Sequence, residues 1–227
     1  EFIGYAYFFA AVAYYNKEDW KSCEAYSTKA LKYDNIKENA EQYLVSSLTK
    51  NLNTKADTLA YLEKLNEINP KKYMANIASL YNQIGEKERS NKILDAAIAA
   101  DPNDKMAYAI KGENAMAERN WEDAIKAFKK TVELDPEFTA VWYNLGVCAS
   151  SKGYDLYEKV SVNGKISNED DAKVKEIFSE AVGYYEKVRQ QDPNREKVSN
   201  WPYQLRMLYN AIGDKDKADE ISKMLGE

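Results

Sequence analysis

The side chains in this 227-residue sequence that could do chemistry are two cysteines, 37 carboxylates and 18 tyrosines; histidine is absent. Without histidine, neither a serine triad nor a cysteine–histidine pair can form, and the commonest metal ligand is missing. Two cysteines are too few for a disulfide-stapled fold or a four-cysteine zinc site. Cys23 and Cys148 lie 125 residues apart on apolar stripes, which reads as buried free thiols acting as small hydrophobes. The glycines are isolated, and neither GxGxxG nor GxxxxGK[ST] occurs, so no phosphate cradle is legible. Acidic clusters such as Glu122-Asp123 and Glu169-Asp170-Asp171 fit solvated helix N-termini better than a catalytic pair. The expectation is no enzyme, no cofactor and no metal. A net charge of −5 is the wrong sign for a nucleic-acid surface. Phe2 to Tyr15 carries no charge but is only 14 residues long, short of the roughly 20 a membrane-spanning helix needs.

The elements behind these residues announce themselves through proline. Pro70, Pro102, Pro136 and Pro193 each follow Asn or Asp, at intervals of 32, 34 and 57 residues. The last interval exceeds the one before it by 23 residues. A fixed period in this range marks a solenoid of repeated units. Proline disfavours helical geometry in the residue before it and suits the first turn of the next helix, so each Asx-Pro pair predicts a helix end. Between the prolines the apolar period is helical: Trp121, Ala124, Ile125, Phe128, Thr131 and Val132 make one face, and Tyr108, Gly112 and Ala115 a second stripe upstream. Two helices joined by a tight turn near Arg119-Asn120 fill each unit.

Thr139-Ala140-Val141-Trp142-Tyr143-Asn144-Leu145-Gly146 resembles the first half of a tetratricopeptide repeat, with its Trp-x-x-Leu-Gly pattern. Gly112, Ala124, Phe128 and Pro136 match the remaining signature of the unit before. The resemblance spans residues 1–227 as one solenoid, in units of about 4–37, 38–70, 71–104, 105–138, 139–195 and a partial C-terminal cap at 199–227. It implies an all-α, right-handed superhelix of antiparallel helix pairs. Ala11, Ala78, Gly112 and Gly146 are expected where the two helices of a unit cross. Tyr14, Tyr81, Phe128 and Tyr185 are expected to fill the space between units.

The fifth unit departs from the pattern, because 23 extra residues lie within 154–178. Tyr154, Tyr157 and Val160 continue its first helix, Val162-Asn163-Gly164-Lys165 reads as a turn, and Ser167 starts a second helix with acids in its first turn. The insertion lengthens both helices. Its Tyr154, Tyr157, Ile166 and Ile177 are candidates for docking a partner.

The resemblance also implies a concave groove lined by the first helix of each unit. Its candidates are Tyr5, Phe8, Val12 and Tyr15, then Lys72, Ala75, Asn76, Ser79 and Asn82. Further along they are Met106, Ala109, Glu113 and Met116, followed by Tyr143, Asn144, Val147 and Ser150. Some family members grip a C-terminal carboxylate with a lysine–asparagine clamp. Here the equivalent pairs are Phe8/Val12, Ala75/Ser79, Ala109/Glu113 and Tyr143/Val147, and the clamp is missing. The expected partner is a protein or peptide held by an apolar groove, with a symmetric dimer or an upstream repeat as other ways to cover Tyr5, Phe8 and Val12. A carbohydrate-binding module using Trp201-Pro202-Tyr203 or the stretch Asn16 to Trp20 is the alternative.

Overall fold

A computed structural model describes residues 2–50, 52, 54–162 and 164–226, which fold into twelve α-helices with no strand among them. Asn163, part of the expected hairpin turn, lies outside the described residues. The chain divides into two compact units, Glu1–Ile93 and Leu94–Glu227. The first holds α1 (Phe2–Asn16), α2 (Trp20–Ala30), α3 (Lys37–Thr49), α4 (Lys55–Ile68) and α5 (Pro70–Gln83), and the boundary falls within α6 (Lys87–Ala100). The second holds α7 (Lys105–Ala117), α8 (Trp121–Leu134), α9 (Thr139–Val160), α10 (Asn168–Gln191), α11 (Trp201–Ile212) and α12 (Lys215–Leu225).

Local chemistry sets the helix ends. Each Asx-Pro pair follows directly on a helix, after α4, α6, α8 and α10. Asn69 serves twice, closing α4 and accepting the Lys72 N–H at the start of α5. Several turns inside a pair share one device, a left-handed residue followed by an Asx cap. Glu18 has φ 59° before the cap Asp19, Arg119 has φ 58° before Asn120, and Gly213 has φ 89° before Asp214. These caps satisfy first-turn N–H groups that a helix cannot satisfy for itself.

Asp192 is the most heavily used of the Asx residues. It is 4 % exposed, and its carboxylate accepts the backbone N–H groups of Glu196, Lys197 and Val198 at 2.9, 3.0 and 2.7 Å. Its carbonyl accepts the Trp201 indole N–H at 3.0 Å, which seats that wholly buried ring at the head of α11. One residue thus folds the connection back and places the last helix pair.

In the α7/α8 and α9/α10 pairs, the distance between helices is set by glycine. A Cβ at Gly112 would lie 2.5 Å from the Phe128 ring, one at Gly146 2.7 Å from Tyr185, and one at Gly153 2.5 Å from Phe178. These rings therefore fill the crossing inside their own pair. This corrects the expectation that Phe128 and Tyr185 fill the space between units. Tyr14 behaves likewise, stacking on Tyr26 of its own pair at 5.3 Å. A sequence stripe identifies the buried face of a helix but not which neighbour it meets.

The same rule builds the long hairpin. Helices α9 and α10 have 22 and 24 residues, against 13 and 14 in α7 and α8. Gly146 and Gly153 are two turns apart on one, Tyr185 and Phe178 two turns apart on the other, so the antiparallel pair repeats its crossing once further out. Phe178 and Val174 are buried and continuous with the core that runs from Ala109 to Ile221. The base of the insertion therefore belongs to the core.

Two outcomes follow. Alanine normally improves a helix interior over glycine by about 0.5–1 kcal/mol, whereas overpacking a filled site costs about 1–3 kcal/mol. Gly112→Ala and Gly146→Ala are therefore expected to lower stability in urea unfolding. Gly183→Ala, on an exposed stretch of α10 with nothing within 4 Å, is expected to raise it. For Asp192, burial pushes the carboxyl up, but three N–H donors pull it down further, so it titrates below its ordinary value. Its contribution is complete above about pH 3.9 and fades as pH falls through the lower folded value. Asp192→Ala should cost about 2 kcal/mol at neutral pH, and its deficit relative to the parent should shrink in acid. Urea titrations at neutral and acid pH measure both.

Candidate functional site

In the first unit the expected groove residues are largely tied to one another. Phe8 and Tyr15 both meet the Tyr43 ring of α3 edge-on, at 5.6 and 5.2 Å, and Tyr15 also meets Trp20 at 5.3 Å. Phe8, Val12 and Tyr15 are consequently half-buried, while Tyr5 is 44 % exposed and stacks on Phe9 at 6.2 Å. Lys72 is bound to the buried Glu41 of α3 at 2.9 Å, and the Tyr73 hydroxyl donates to the same carboxylate oxygen. Burial pushes the Glu41 carboxyl up, and Tyr73 and Lys72 together bring it below its ordinary value. Lys72 is thus committed to Glu41. Asn76 is exposed, and Ala75, Ser79 and Asn82 are half-buried.

In the second unit two expected groove residues need correction. Ala109 is 3 % exposed, packed into the core. Ser150 is 6 % exposed, with its hydroxyl donated to the Gly146 carbonyl at 2.7 Å. Neither is therefore open to a partner. Tyr143 is half-buried, edge-on to Tyr185 at 5.5 Å. Met116, Asn144 and Val147 are half-buried too, while Met106 is 41 % exposed. Glu113 is exposed, and desolvation by the protein around it pushes its carboxyl up.

The most exposed members of this row lie on α11. Tyr203 is 44 % exposed, Met207 is 51 % exposed, and Asn210 is exposed. The sequence carried the signal: Tyr203, Met207 and Asn210 stand at the same offsets from Leu205 as Tyr143, Val147 and Ser150 do from Leu145. Trp201, by contrast, is wholly buried with its N–H donated to Asp192, so it offers no ring for stacking a sugar.

Along the insertion, Tyr154 is 39 % exposed and leans on Phe178 at 4.9 Å, and Tyr157 is 38 % exposed. Ile166 and Ile177 are half-buried, and an Ile177 methyl reaches toward Gly153. The hairpin is fastened at its root. Asp155 accepts the Trp121 indole N–H and an Arg119 N–H, both at 2.7 Å, Lys152 pairs with Glu122 at 3.0 Å, and Lys129 with Glu180 at 2.9 Å. Val162 near the tip is 71 % exposed.

The two cysteines have little nucleophilic character in this arrangement. Burial pushes the Cys148 thiol up to about 12 and raises Cys23 as well, and both are buried free thiols. Among the described residues, no group of three His, Cys, Asp or Glu side chains is placed to hold a metal ion, and no helix is long and apolar enough to cross a membrane.

No protein-family model matches the chain, and no curated protein matches it either. Solved structures do match in fold. IFIT1, solved as a monomeric mutant with Gppp-AAAA, has a TM-score of 0.62 at 16 % identity over 92 % of this chain and 46 % of its own. The human IFIT1 dimer with m7Gppp-AAAA gives a TM-score of 0.59. This chain therefore spans about half the length of the IFIT1 structures. PilW, described as a widely conserved type IV pilus biogenesis factor, has a TM-score of 0.62 at 16 % identity, covering 99 % of this chain and 93 % of its own. MamA has a TM-score of 0.54 at 20 % identity over 83 % of this chain and 97 % of its own. All three are tetratricopeptide-repeat proteins, and the fold here is the all-α helical repeat they share.

The desolvation of Glu113 can be tested. A carboxyl with a raised folded value carries no penalty below its ordinary value of about 4.3 and an increasing one as pH rises through the folded value. Glu113→Gln should therefore raise the melting temperature at neutral pH, and the difference should vanish on acidification. An unchanged melt at neutral pH would place Glu113 in open solvent.

Proposed function

We propose that the chain is a non-catalytic scaffold, residues 1–227 forming one array of helix pairs that binds a protein or peptide partner on the first helices of its pairs. The observation that carries this reading is the set of exposed Met106, Tyr203 and Met207 on α7 and α11, together with the exposed Glu113. None of these four positions is buried in the core, and exposed apolar surface of this kind marks interaction sites. Methionines line surfaces that adapt to more than one side chain, and a carboxylate beside them suits a basic group on the ligand. A helix or extended peptide with apolar residues at helical spacing and one lysine or arginine fits this chemistry.

The likeness to tetratricopeptide-repeat proteins supports a binding role by fold alone. The net charge of −5 weighs against a phosphate backbone as the partner. The exposed Tyr154, Tyr157 and Val162 of the long hairpin are a second contact available to the same partner.

The experiment is selection from a displayed peptide library. Peptides enriched on the parent should carry helically spaced apolar residues, and Met106→Glu/Tyr203→Glu/Met207→Glu, folded by circular dichroism, should lose them by at least about tenfold. Retention of the same peptides by the triple variant would remove this surface from the function. Binding of a glycan array by the parent, lost on changing Tyr15 and Trp20, would favour the carbohydrate reading instead.

A further inference from the structure

Helix α9 outruns its neighbours, with 22 residues where α7 has 13 and α11 has 12. Val147, Tyr154 and Tyr157 are seven and three residues apart, so they share one side of α9 over roughly 15 Å. Val147 is half-buried, and Tyr154 and Tyr157 are 39 % and 38 % exposed. Val162, 71 % exposed, extends this apolar surface to the tip of the hairpin. The row therefore lies lengthwise along one helix.

Hydrogen bonding and charge decide what fits it. The backbone of α9 is spent within the helix, so the row offers almost nothing to the main chain of an extended peptide. A helical ligand satisfies its own backbone and meets the row with side chains alone. The charge beside the row is negative. Exposed Glu158 stands one turn from Tyr154 and next to Tyr157, while Lys159 projects from the opposite side of α9. Lys152 and Asp155 are already paired, with Glu122 and Arg119. Residues 94–227 hold 25 Asp and Glu against 19 Lys and Arg, whereas residues 1–93 hold 12 against 13. The chain's whole excess of acid thus lies in the unit that carries the row.

We infer that the occupant of this row is a basic amphipathic helix, lying along α9 from Val147 to the tip of the hairpin. The inference rests on the scaffold reading above and names the partner that scaffold takes. Apolar side chains on one face of the ligand pack on Val147, Tyr154 and Tyr157, and a lysine or arginine beside them pairs with Glu158. The two tyrosines suit such a ligand twice over, since a ring face also attracts a cation. The same unit makes that contact within itself: the Arg206 guanidinium lies 5.8 Å over the Tyr203 ring, and the Lys129 ammonium 6.0 Å over Tyr184. The surface is also preformed, because Phe178 rests on Gly153 beneath the row and holds the two helices together.

A displayed library of peptides about 18 residues long, selected on the full chain, tests this. Enriched peptides should carry more Lys and Arg than Asp and Glu and gain helical circular dichroism on binding. A central proline should weaken them at least about tenfold. Tyr154→Ala/Tyr157→Ala should cost at least about tenfold as well. Because Tyr154 also leans on Phe178, Glu158→Lys is the gentler variant. It should weaken the peptide at least about fivefold, and changing the facing lysine of the peptide to glutamate should restore binding. Acidic or proline-tolerant peptides, a library without binders, or full affinity for both hairpin variants would overturn the proposal. Binding lost in Met106→Glu/Tyr203→Glu/Met207→Glu but kept in both hairpin variants would retain the scaffold surface and remove the helix along α9. The reverse pattern would retain the helix along α9 and remove the α7 and α11 surface.

Discussion

A ring resting on a glycine decides how closely two helices of a pair approach, and most of the second unit is arranged around that distance. With no side chain at Gly112, Gly146 or Gly153, the facing rings of Phe128, Tyr185 and Phe178 drop into contact with backbone. Close approach buries Ala109, Ala124, Ala149 and Ala181, which are too small to reach across a wider gap. It also explains why the long hairpin does not splay as it leaves the stack. Its extra turns reuse the crossing at the same two-turn interval, and salt bridges to α8 hold the root from outside. Exposed ion pairs contribute little each, so the crossing, not the charges, keeps the hairpin together.

Much of this was legible because it is local. Asn or Asp before proline ends a helix whatever surrounds it, and the apolar period names the buried face. Partners distant in sequence were not legible. Nothing within a turn of Lys72 announces Glu41, 31 residues upstream, and nothing near Trp121 announces Asp155, 34 residues downstream. The same limit explains the misplacement of Phe128 and Tyr185. Their stripe positions were right, but a stripe does not say whether the near helix or the next pair fills the space against it.

The candidate surface was half legible, for a related reason. The repeat register supplied Met106 and Glu113, and would have supplied Tyr203 and Met207 had α11 been read in the same frame as α9. Register cannot tell which members of a row are already spent. Phe8 and Tyr15 are held by Tyr43, Tyr143 by Tyr185, Lys72 by Glu41 and Ser150 by its own helix, and each loss follows from a neighbour at normal packing distance. Subtracting those engaged residues from the row leaves a smaller set, weighted toward methionine.

That subtraction separates two kinds of exposed apolar surface in this molecule. On α7 and α11 the exposed residues are single methionines and a tyrosine among polar neighbours such as Asn210 and Glu113, tolerable in water and adaptable on contact. On α1 they are phenylalanines in an uninterrupted seam without a charge on the helix, which water penalises over its whole length. Surface of the first kind carries little penalty in water. Surface of the second kind leaves several apolar side chains in water, each about 1.5–3 kcal/mol short of full burial. The two kinds of surface lie on different helices, set apart by the balance between apolar area and the polar groups that interrupt it.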